Sequence, residues 1–504
     1  MEYILTADEM KKCDEYTIGH FHLPPSVLME RAALKCVASI MHDKFNLKRV
    51  LVVCGSGNNG GDGLAIARIL HERKINVDVL LAGSPVHMSQ ESRENYESCV
   101  SYGIPMRSSV KDDEYTLIVD AIFGIGLNRK LERDTIAFID GINSFKENGA
   151  KIVSVDIPSG VNASTGEIMG AAIKADMTVT FAYYKKGLLL YPGIECVGKL
   201  VLANIGITDE SFADKKPSLK CITKKDFVGN KLLKRPDDSN KGTFGKALII
   251  AGSENMGGCA LLAALSCFKT GAGMVRVFTH KDNKRIINLR LPEAIVDTYD
   301  DKIDRNKLAE AVKWADVTAI GPGIGKDGRA KELFEFAFFK SNGTLILDAD
   351  ALYILKRYKQ TLRNEPGRDI IITPHLAEFA AFMDREKTEV KRDLVGQTMA
   401  VARNYHLTCV TKDSRTVISN KEGECFINTT GNNGMAVAGT GDCLFGIIAG
   451  LSARGLSPLL AAAYGCYMHG YAGDIAAAKK GKSGMLASNL IESLKLCLEA
   501  TDEQ

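Results

Sequence analysis

Short apolar runs recur along this chain. Each is followed by a glycine- or acid-bearing loop and then by a longer stretch with apolar positions at helical spacing. The first run, Arg49 to Cys54, is valine-rich, and further strands are predicted at 77–82, 116–120, 151–155 and 177–181. Helices are predicted at 64–73, 89–102 and 134–146. Upstream, residues 6–43 read as two helices separated by Pro24-Pro25, with Ser26 a candidate cap for the second. This is the β–loop–α rhythm of a parallel sheet covered by helices. A polar stretch at 208–220, carrying Lys215-Lys216-Pro217, interrupts it. The rhythm then restarts with a strand from Lys246 to Ala251 and a helix from Gly257 to Gly271. Strands follow near 273–278, 317–320, 344–348, 369–373 and 408–411, and helices at 442–454, 458–478 and 486–498. The pattern predicts two α/β domains, 1–212 and 218–504, that share a fold class but no motif.

Length and composition agree with two cores. A chain of 504 residues exceeds one domain of ~100–200 residues. The net charge of +3 gives no ground for a nucleic-acid partner or an acidic membrane surface. No run of ~18 apolar residues suggests a membrane span. The start, Met1-Glu2-Tyr3-Ile4, lacks a signal-peptide pattern. The thirteen cysteines include no C-x-x-C pair, the nearest two being Cys259 and Cys267. They are expected to be reduced, buried thiols rather than disulfides or zinc ligands. A cytoplasmic enzyme acting on small molecules is expected, and a homo-oligomer.

Chemistry concentrates at strand ends. Residues 55–60 match G-x-G-x-x-G between a strand and a helix, a dinucleotide-type signal that is weak alone. The acid expected at the end of the second strand is missing, for that strand runs into Leu80-Leu81-Ala82-Gly83. Asn58, Asn59 and Asp62 instead offer amides and a carboxylate to a cation or a sugar. Two further strand ends, Val119-Asp120-Ala121-Ile122-Phe123-Gly124-Ile125-Gly126-Leu127 and Ser154-Val155-Asp156-Ile157-Pro158-Ser159-Gly160-Val161-Asn162, put acids on the same rim. Ligands of open α/β sheets bind at that rim. Each Asp alone reads as a cap; three acid-bearing loops together favour a site.

These segments resemble the NAD(P)H-hydrate epimerase family over roughly residues 1–205. The resemblance implies a Rossmann-like domain that interconverts the R and S epimers of hydrated NADH and NADPH. It implies that Asn58, Asn59, Gly60, Gly61 and Asp62 bind the hydrate, with Gly124, Ile125, Gly126, Leu127, Asn128, Arg129 and Lys130. It further implies a potassium ion on Asn59, Asp120 and Ser159. Asp156 is the expected acid/base, because epimerisation at a hydroxyl-bearing carbon needs proton transfer. Tyr184 stands where the family usually has Pro before the lysine that is Lys185 here.

In the second half, Gly439-Thr440-Gly441-Asp442 leads into an apolar helix. Small residues at a helix N-terminus present N–H groups to a phosphate or a developing anion, and Asp442 is placed to accept a proton. The same four residues also read as an ordinary helix cap. Gly252-Ser253-Glu254-Asn255-Met256-Gly257-Gly258 opens another helix, yet no P-loop occurs. Gly321-Pro322-Gly323-Ile324-Gly325, Leu347-Asp348-Ala349-Asp350 and Thr373-Pro374-His375-Leu376-Ala377-Glu378 each follow a predicted strand. Two ligands do not make a zinc site, so His375 is read as a polar contact to substrate.

Together with KGTFGKALIIAGS and the late Tyr467-Met468-His469-Gly470, these segments resemble the ADP- or ATP-dependent NAD(P)H-hydrate dehydratase family, which has a ribokinase-like fold. The resemblance covers roughly residues 221–500. It implies an anion hole at Gly439, Thr440 and Gly441, with Asp442 the base. It implies hydrate contacts at Gly323 and His375, and nucleotide contacts at Lys412, Asp413, Ser414, Arg415, Thr416 and Gly441. ADP or ATP would donate the phosphoryl group, with Mg²⁺. Cys259 stands where the family favours Ala, and Ala438 where it has Gly. Asp413 stands where Lys-Gly is usual, a negative charge where glycine lets a phosphate approach. The alternative is a small-molecule kinase of the ribokinase superfamily fused to a nucleotide-binding domain. A further alternative is a nucleotide sensor that no longer turns over.

Overall fold

The computed structural model describes residues 1–109, 115–230, 233–364 and 367–502. The chain divides into two compact units, Glu2–Pro217 and Ser218–Gln504.

The N-terminal unit carries strands β1 (Glu2–Leu5), β2 (Val50–Cys54), β3 (Val77–Leu81), β4 (Met106–Arg107), β5 (Leu117–Ala121), β6 (Lys151–Val155), β7 (Met177–Phe181), β8 (Tyr184–Lys185) and β9 (Lys199–Ala203). Seven of them form one parallel sheet in the order β4-β3-β2-β5-β6-β7-β9. β1 and β8 pair in parallel beside it. Every residue of β2 and β5 is buried, because helices cover both faces of a parallel sheet. The strand order reverses between β2 and β5. That is the switch point of a doubly wound sheet, where neighbouring loops part to open a crevice.

The C-terminal unit continues with β10 (Leu219–Cys221), β11 (Lys246–Ile250), β12 (Met274–His280), β13 (Ile295–Tyr299), β14 (Val317–Ile320), β15 (Thr344–Leu347), β16 (Ile370–Ile372), β17 (Thr408–Thr411), β18 (Val417–Ser419) and β19 (Cys425–Ile427). They follow one another in the order β13-β12-β11-β14-β15-β16-β17-β18-β19-β10. β11 to β17 are joined by parallel pairings, whereas β18 is antiparallel to both its neighbours. Here the order reverses between β11 and β14. The helices Gly257–Lys269 and Thr440–Ala453 pack on each other and on this part of the sheet, and they supply much of one large core.

The structure corrects several sequence expectations. The helix after β2 runs from Asn58 to Glu72 and begins six residues before the predicted start at 64. Asn58 to Gly63 are therefore its first turns and not a loop. Its glycines meet packing demands: a Cβ on Gly60 would lie 1.9 Å from the Gly55 carbonyl oxygen, and one on Gly63 2.6 Å from Ala121 Cβ. Ser26 is not a cap. The second helix is Pro25–His42, with Pro25 in its first turn, where the fixed φ of proline suits a helix start. The strands β1, β4, β8, β9, β10, β13, β18 and β19 have no counterpart among the predicted strands; pairing with neighbours defines them.

Candidate functional site

The switch point of the N-terminal unit holds a cavity of about 720 Å³, within the range of small-molecule sites. Loops after β2 and β5 form its floor. Gly55 N–H donates to the Ala121 carbonyl at 3.0 Å, and a Cβ on Gly55 would lie 2.0 Å from the Ile122 oxygen. Only glycine allows these two loops to lie so close. Asn58, Asn59, Asp62, Gly124 to Arg129 and Asp156 all line the cavity. Gly60 and Gly61 are buried on the packed side of their helix, and Lys130 is exposed outside the lining.

Asp156 sits just past β6 in a left-handed conformation, φ 63°, which a short polar side chain tolerates. Its Oδ1 accepts from Lys185 Nζ at 2.6 Å, from Thr180 Oγ1 at 3.0 Å and from the Phe181 N–H at 3.1 Å. Lys185 is 1% exposed and also donates to the Phe181 carbonyl and to Thr180 Oγ1. The lysine that follows Tyr184 thus keeps a complete set of acceptors. Asp156 Oδ2 takes no hydrogen bond among the described residues and is the free oxygen of the pair. Burial pushes the Asp62 carboxyl well above the usual range, and Asp156 and Asp14 push it the same way.

Asp120 and Ser159 are fully buried. Ser159 Oγ donates to Asp120 Oδ1 at 2.6 Å, while the Ser159 N–H and Ser154 Oγ donate to Oδ2 at 2.9 and 2.7 Å. Burial still raises the Asp120 carboxyl above its usual range in spite of these donors. No cationic side chain among the described residues pairs with it. Asn59 is 9% exposed, and its amide nitrogen has no partner.

In the C-terminal unit the corresponding switch point is tied shut from below. Gly252 N–H donates to the Pro322 carbonyl and Ser253 N–H to that of Gly323. Gly323, at φ 64°, leaves no room for a side chain, since a Cβ there would lie 2.5 Å from Cys259 Sγ. The helix Thr440–Ala453 points its N-terminus at this region, with Gly439 at φ 91° as the capping residue. Thr440, Gly441 and Asp442 are its first three residues, so their N–H groups have no carbonyl one turn earlier within the helix. Thr440 Oγ1 is turned back onto the Met435 and Val437 carbonyls, and His469 Nε2 lies 2.9 Å from the Thr440 carbonyl oxygen.

Lys412 joins the pieces. A Cβ on Gly441 would lie 3.8 Å from its Nζ, and that nitrogen donates to Asp348 Oδ1 at 2.8 Å. Its backbone is bridged to His375. Burial raises the Asp442 carboxyl to about 6; Asp348 adds to the shift and Lys412 opposes it. Asp442, Asp348, Lys412, His375 and the free helix N-terminus therefore meet at one end of the sheet. His375 caps the helix Leu376–Met383, with Nδ1 accepting from the Ala377 and Glu378 N–H groups and its other nitrogen 3.4 Å from Glu378 Oε1. Asp413 lies 3.8 Å from Lys391, so a neighbouring cation offsets its charge. Arg415 donates to the Thr429 carbonyl at 2.9 Å, and Thr416 Oγ1 lies 3.5 Å from the Asp413 carbonyl. The KGTFG segment lies elsewhere. A Cβ on Gly245 would strike the Ala453 oxygen at 1.9 Å, at the far end of a helix about 21 Å long.

Sequence reasoning missed Asp14. It sits on an amphipathic helix that carries no motif, and only the packing of Ala7–Gly19 beside the switch point brings it to the cavity. The acid pair after β15 and the late histidine stood inside recognised segments, but nothing in the sequence tied them to Lys412 and Thr440.

Comparison with known proteins places the chain in a family. Residues 25–187 match a family model described as YjeF-related protein N-terminus, and residues 247–496 one described as NAD(P)H-hydrate dehydratase. The bifunctional NAD(P)H-hydrate repair enzyme of Moorella thermoacetica is 34% identical over 522 aligned positions, covering 100% of this chain and 98% of that one. The repair enzyme of Thermofilum pendens is 34% identical over 519, covering 99% and 97%. A crystal structure of a hypothetical protein from Streptococcus mutans matches 56% of this chain and all of its own at 28% identity, with a TM-score of 0.50. With both family models matched and identity sustained over its whole length, the chain belongs to the family of bifunctional NAD(P)H-hydrate repair enzymes.

Proposed function

We propose that the N-terminal unit epimerises R and S hydrates of NADH and NADPH and that the C-terminal unit returns the S hydrate to NAD(P)H at the expense of ADP or ATP. The observation that carries the second half is Asp442, a carboxylate in the first turn of a helix whose N–H groups are free, beside Lys412. Hydroxide leaves the reduced nicotinamide ring poorly. Phosphorylation of the ring hydroxyl makes it a good leaving group, and loss of phosphate regenerates NAD(P)H. Asp442 accepts the hydroxyl proton while the N–H groups of Thr440, Gly441 and Asp442 and the Lys412 ammonium stabilise the charge on the phosphoryl group in transit. Gly323 and His375 bound the hydrate pocket, and the segment Lys412 to Thr416 meets the nucleotide.

Mg²⁺ bound with the nucleotide would neutralise phosphate charge. No group of three His, Cys, Asp or Glu among the described residues could hold a metal ion. That fits an ion carried mainly by phosphates and water, as magnesium often is. In the N-terminal unit the proposed ligands are hard oxygens: the Asp120 carboxylate bonded to the Ser159 hydroxyl, and the Asn59 amide, which lies against Gly124. A buried carboxylate without a cationic partner fits potassium there. Replacing potassium with a bulky organic cation is expected to slow epimerisation and leave dehydration of pure S hydrate unchanged; equal slowing of both would remove the separate cation site.

A kinase that releases a stable phosphorylated product is the weaker reading, because likeness to the repair enzymes extends through both units. Incubation with mixed hydrates, Mg²⁺ and ADP or ATP, followed by NAD(P)H absorbance, separates the two. Full recovery of NAD(P)H supports repair, and a lasting phosphorylated alcohol overturns it. A cytoplasmic location belongs to this reading as well. All thirteen cysteines are buried, and no helix among the described residues is long and apolar enough to cross a membrane. A homo-oligomer belongs to this reading, and light scattering in solution tests it.

A further inference from the structure

Asp14, on the helix Ala7–Gly19, has no part in the chemistry above. It lines the same cavity as Asn59, Asp62, Asp156 and Lys185. Asp156 is held on one oxygen by three donors. Asp14 makes no hydrogen bond and no ion pair among the described residues. The cavity also holds the unpartnered amide nitrogen of Asn59, more than nine-tenths buried. A buried donor left without an acceptor points to a polar ligand at this wall.

We propose that Asp14 is the proton donor of the epimerase site, working against Asp156 as the acceptor. The proposal rests on reading this cavity as the epimerase site. Epimerisation requires the hydroxyl to leave the carbon next to the ring nitrogen and return from the other face. The Asp14 acid gives its proton to the hydroxyl as the C–O bond breaks. The bonding pair leaves with oxygen as water, and the nitrogen lone pair forms C=N. Water then adds to the opposite face, its oxygen supplying the pair for the new C–O bond, and its surplus proton passes to the free Oδ2 of Asp156. Return of that proton to Asp14 through solvent resets the site, and no co-reactant is consumed. The two roles need two environments. Lys185 holds Asp156 as an acceptor, whereas Asp14 has no bonded donor to stabilise its charge. Burial pushes the Asp14 carboxyl up to about 7; Lys185 opposes the shift, and Asp156 and Glu15 add to it. The charged groups that share the cavity are Lys11 and Glu15 on its own helix, with Asp62, Glu91, Arg129, Asp156 and Lys185 from the elements around it.

The test uses the full chain, mixed hydrates, ADP or ATP with Mg²⁺, and pure S hydrate as control. Asp14→Asn is expected to lower kcat for epimerisation by ~10² or more, as loss of a positioned acid does, with little change in KM and normal dehydration of S hydrate. Asp14→Glu is expected to recover part of the rate. Epimerisation by the parent is expected to fall as pH rises through about 7, where Asp14 loses its proton, and Asp14→Asn is expected to lose that limb. Parent-like epimerisation by Asp14→Asn would overturn the proposal, as would a change in KM alone with the limb retained. Absence of the limb from the parent would do so without any variant. Asp156→Asn separates the two levels. If it is inactive while Asp14→Asn is normal, only Asp14 is removed from the reaction. If both are normal, the cavity is not the epimerase site.

Discussion

Asp442 shows at single-residue scale how a site can cost stability. Its folded pKa, about 6, lies above the ordinary 3.8, and burial is the main cause. The folded state therefore binds more protons than the unfolded chain between those values, and this group's contribution to stability falls as pH rises through that window. Asp442→Asn is accordingly expected to melt no lower than the parent at pH 7.5. Dehydration should fall by ~10²–10⁴, the usual worth of a positioned base, with epimerisation unchanged. A helix cap would behave in the opposite way, losing about 1 kcal/mol with activity kept. Parallel melting curves and single-substrate rates decide between them. The parent's dehydration rate should also decline below about pH 6, as Asp442 takes up its proton. Two neighbouring glycines give a further contrast. Gly441→Ala meets only Lys412 Nζ at 3.8 Å and should fold, whereas a Cβ on Gly439 strikes Leu262 Cδ1 at 2.7 Å in a left-handed backbone.

At the scale of elements, the helix Asn58–Glu72 places amide and carboxylate groups at the crevice by starting directly after a three-residue loop. Three glycines within its first six residues are unfavourable for an isolated helix, by roughly 1 kcal/mol each. Close packing is the reason for them: a Cβ at Gly60 would strike the Gly55 carbonyl, one at Gly61 would strike Ser92 and Met29, and one at Gly63 would strike Ala121 and Cys54. Gly60→Ala is therefore expected to destabilise the N-terminal unit by about 1–3 kcal/mol, as overpacking does, and to abolish epimerisation. Better intrinsic helix propensity would not rescue it. Denaturant unfolding followed together with both activities tests this, and dehydration should be kept under native conditions.

At the scale of the whole molecule, each unit has its own sheet, core and switch-point site. Residues 1–212 and 218–504 are proposed as separate epimerase and dehydratase domains. Expressed alone, the first should epimerise without nucleotide, and the second should dehydrate only the S hydrate, leaving R to convert spontaneously. A soluble, folded C-terminal fragment without activity would count against two independent modules. The physical ground for joining them is supply, since a dehydratase selective for one epimer needs the other converted to it.

Much of this was legible in the residue order. Buried parallel strands such as Val50–Cys54 and Ile370–Ile372 are continuous apolar runs, so their place and type follow from local pattern. Asp156 follows such a strand and Asp442 opens an apolar helix, each in recognisable company that points to the family. Other features depend on contacts between residues far apart in the chain. The early start of the helix at Asn58 depends on backbone packing against Gly55 and Ala121. The short strands β1, β8, β10, β13, β18 and β19 exist because a neighbouring strand pairs with them. The pairing of Lys412 with Asp348, and of Lys185 with Asp156, joins residues 64 and 29 positions apart. Asp14 lies on a helix without any motif, and its carboxyl gains meaning only where the fold sets it in a cavity with Asp156. Local pattern is enough wherever a residue's own burial determines its environment; where the environment is made by distant partners, only the folded chain decides it.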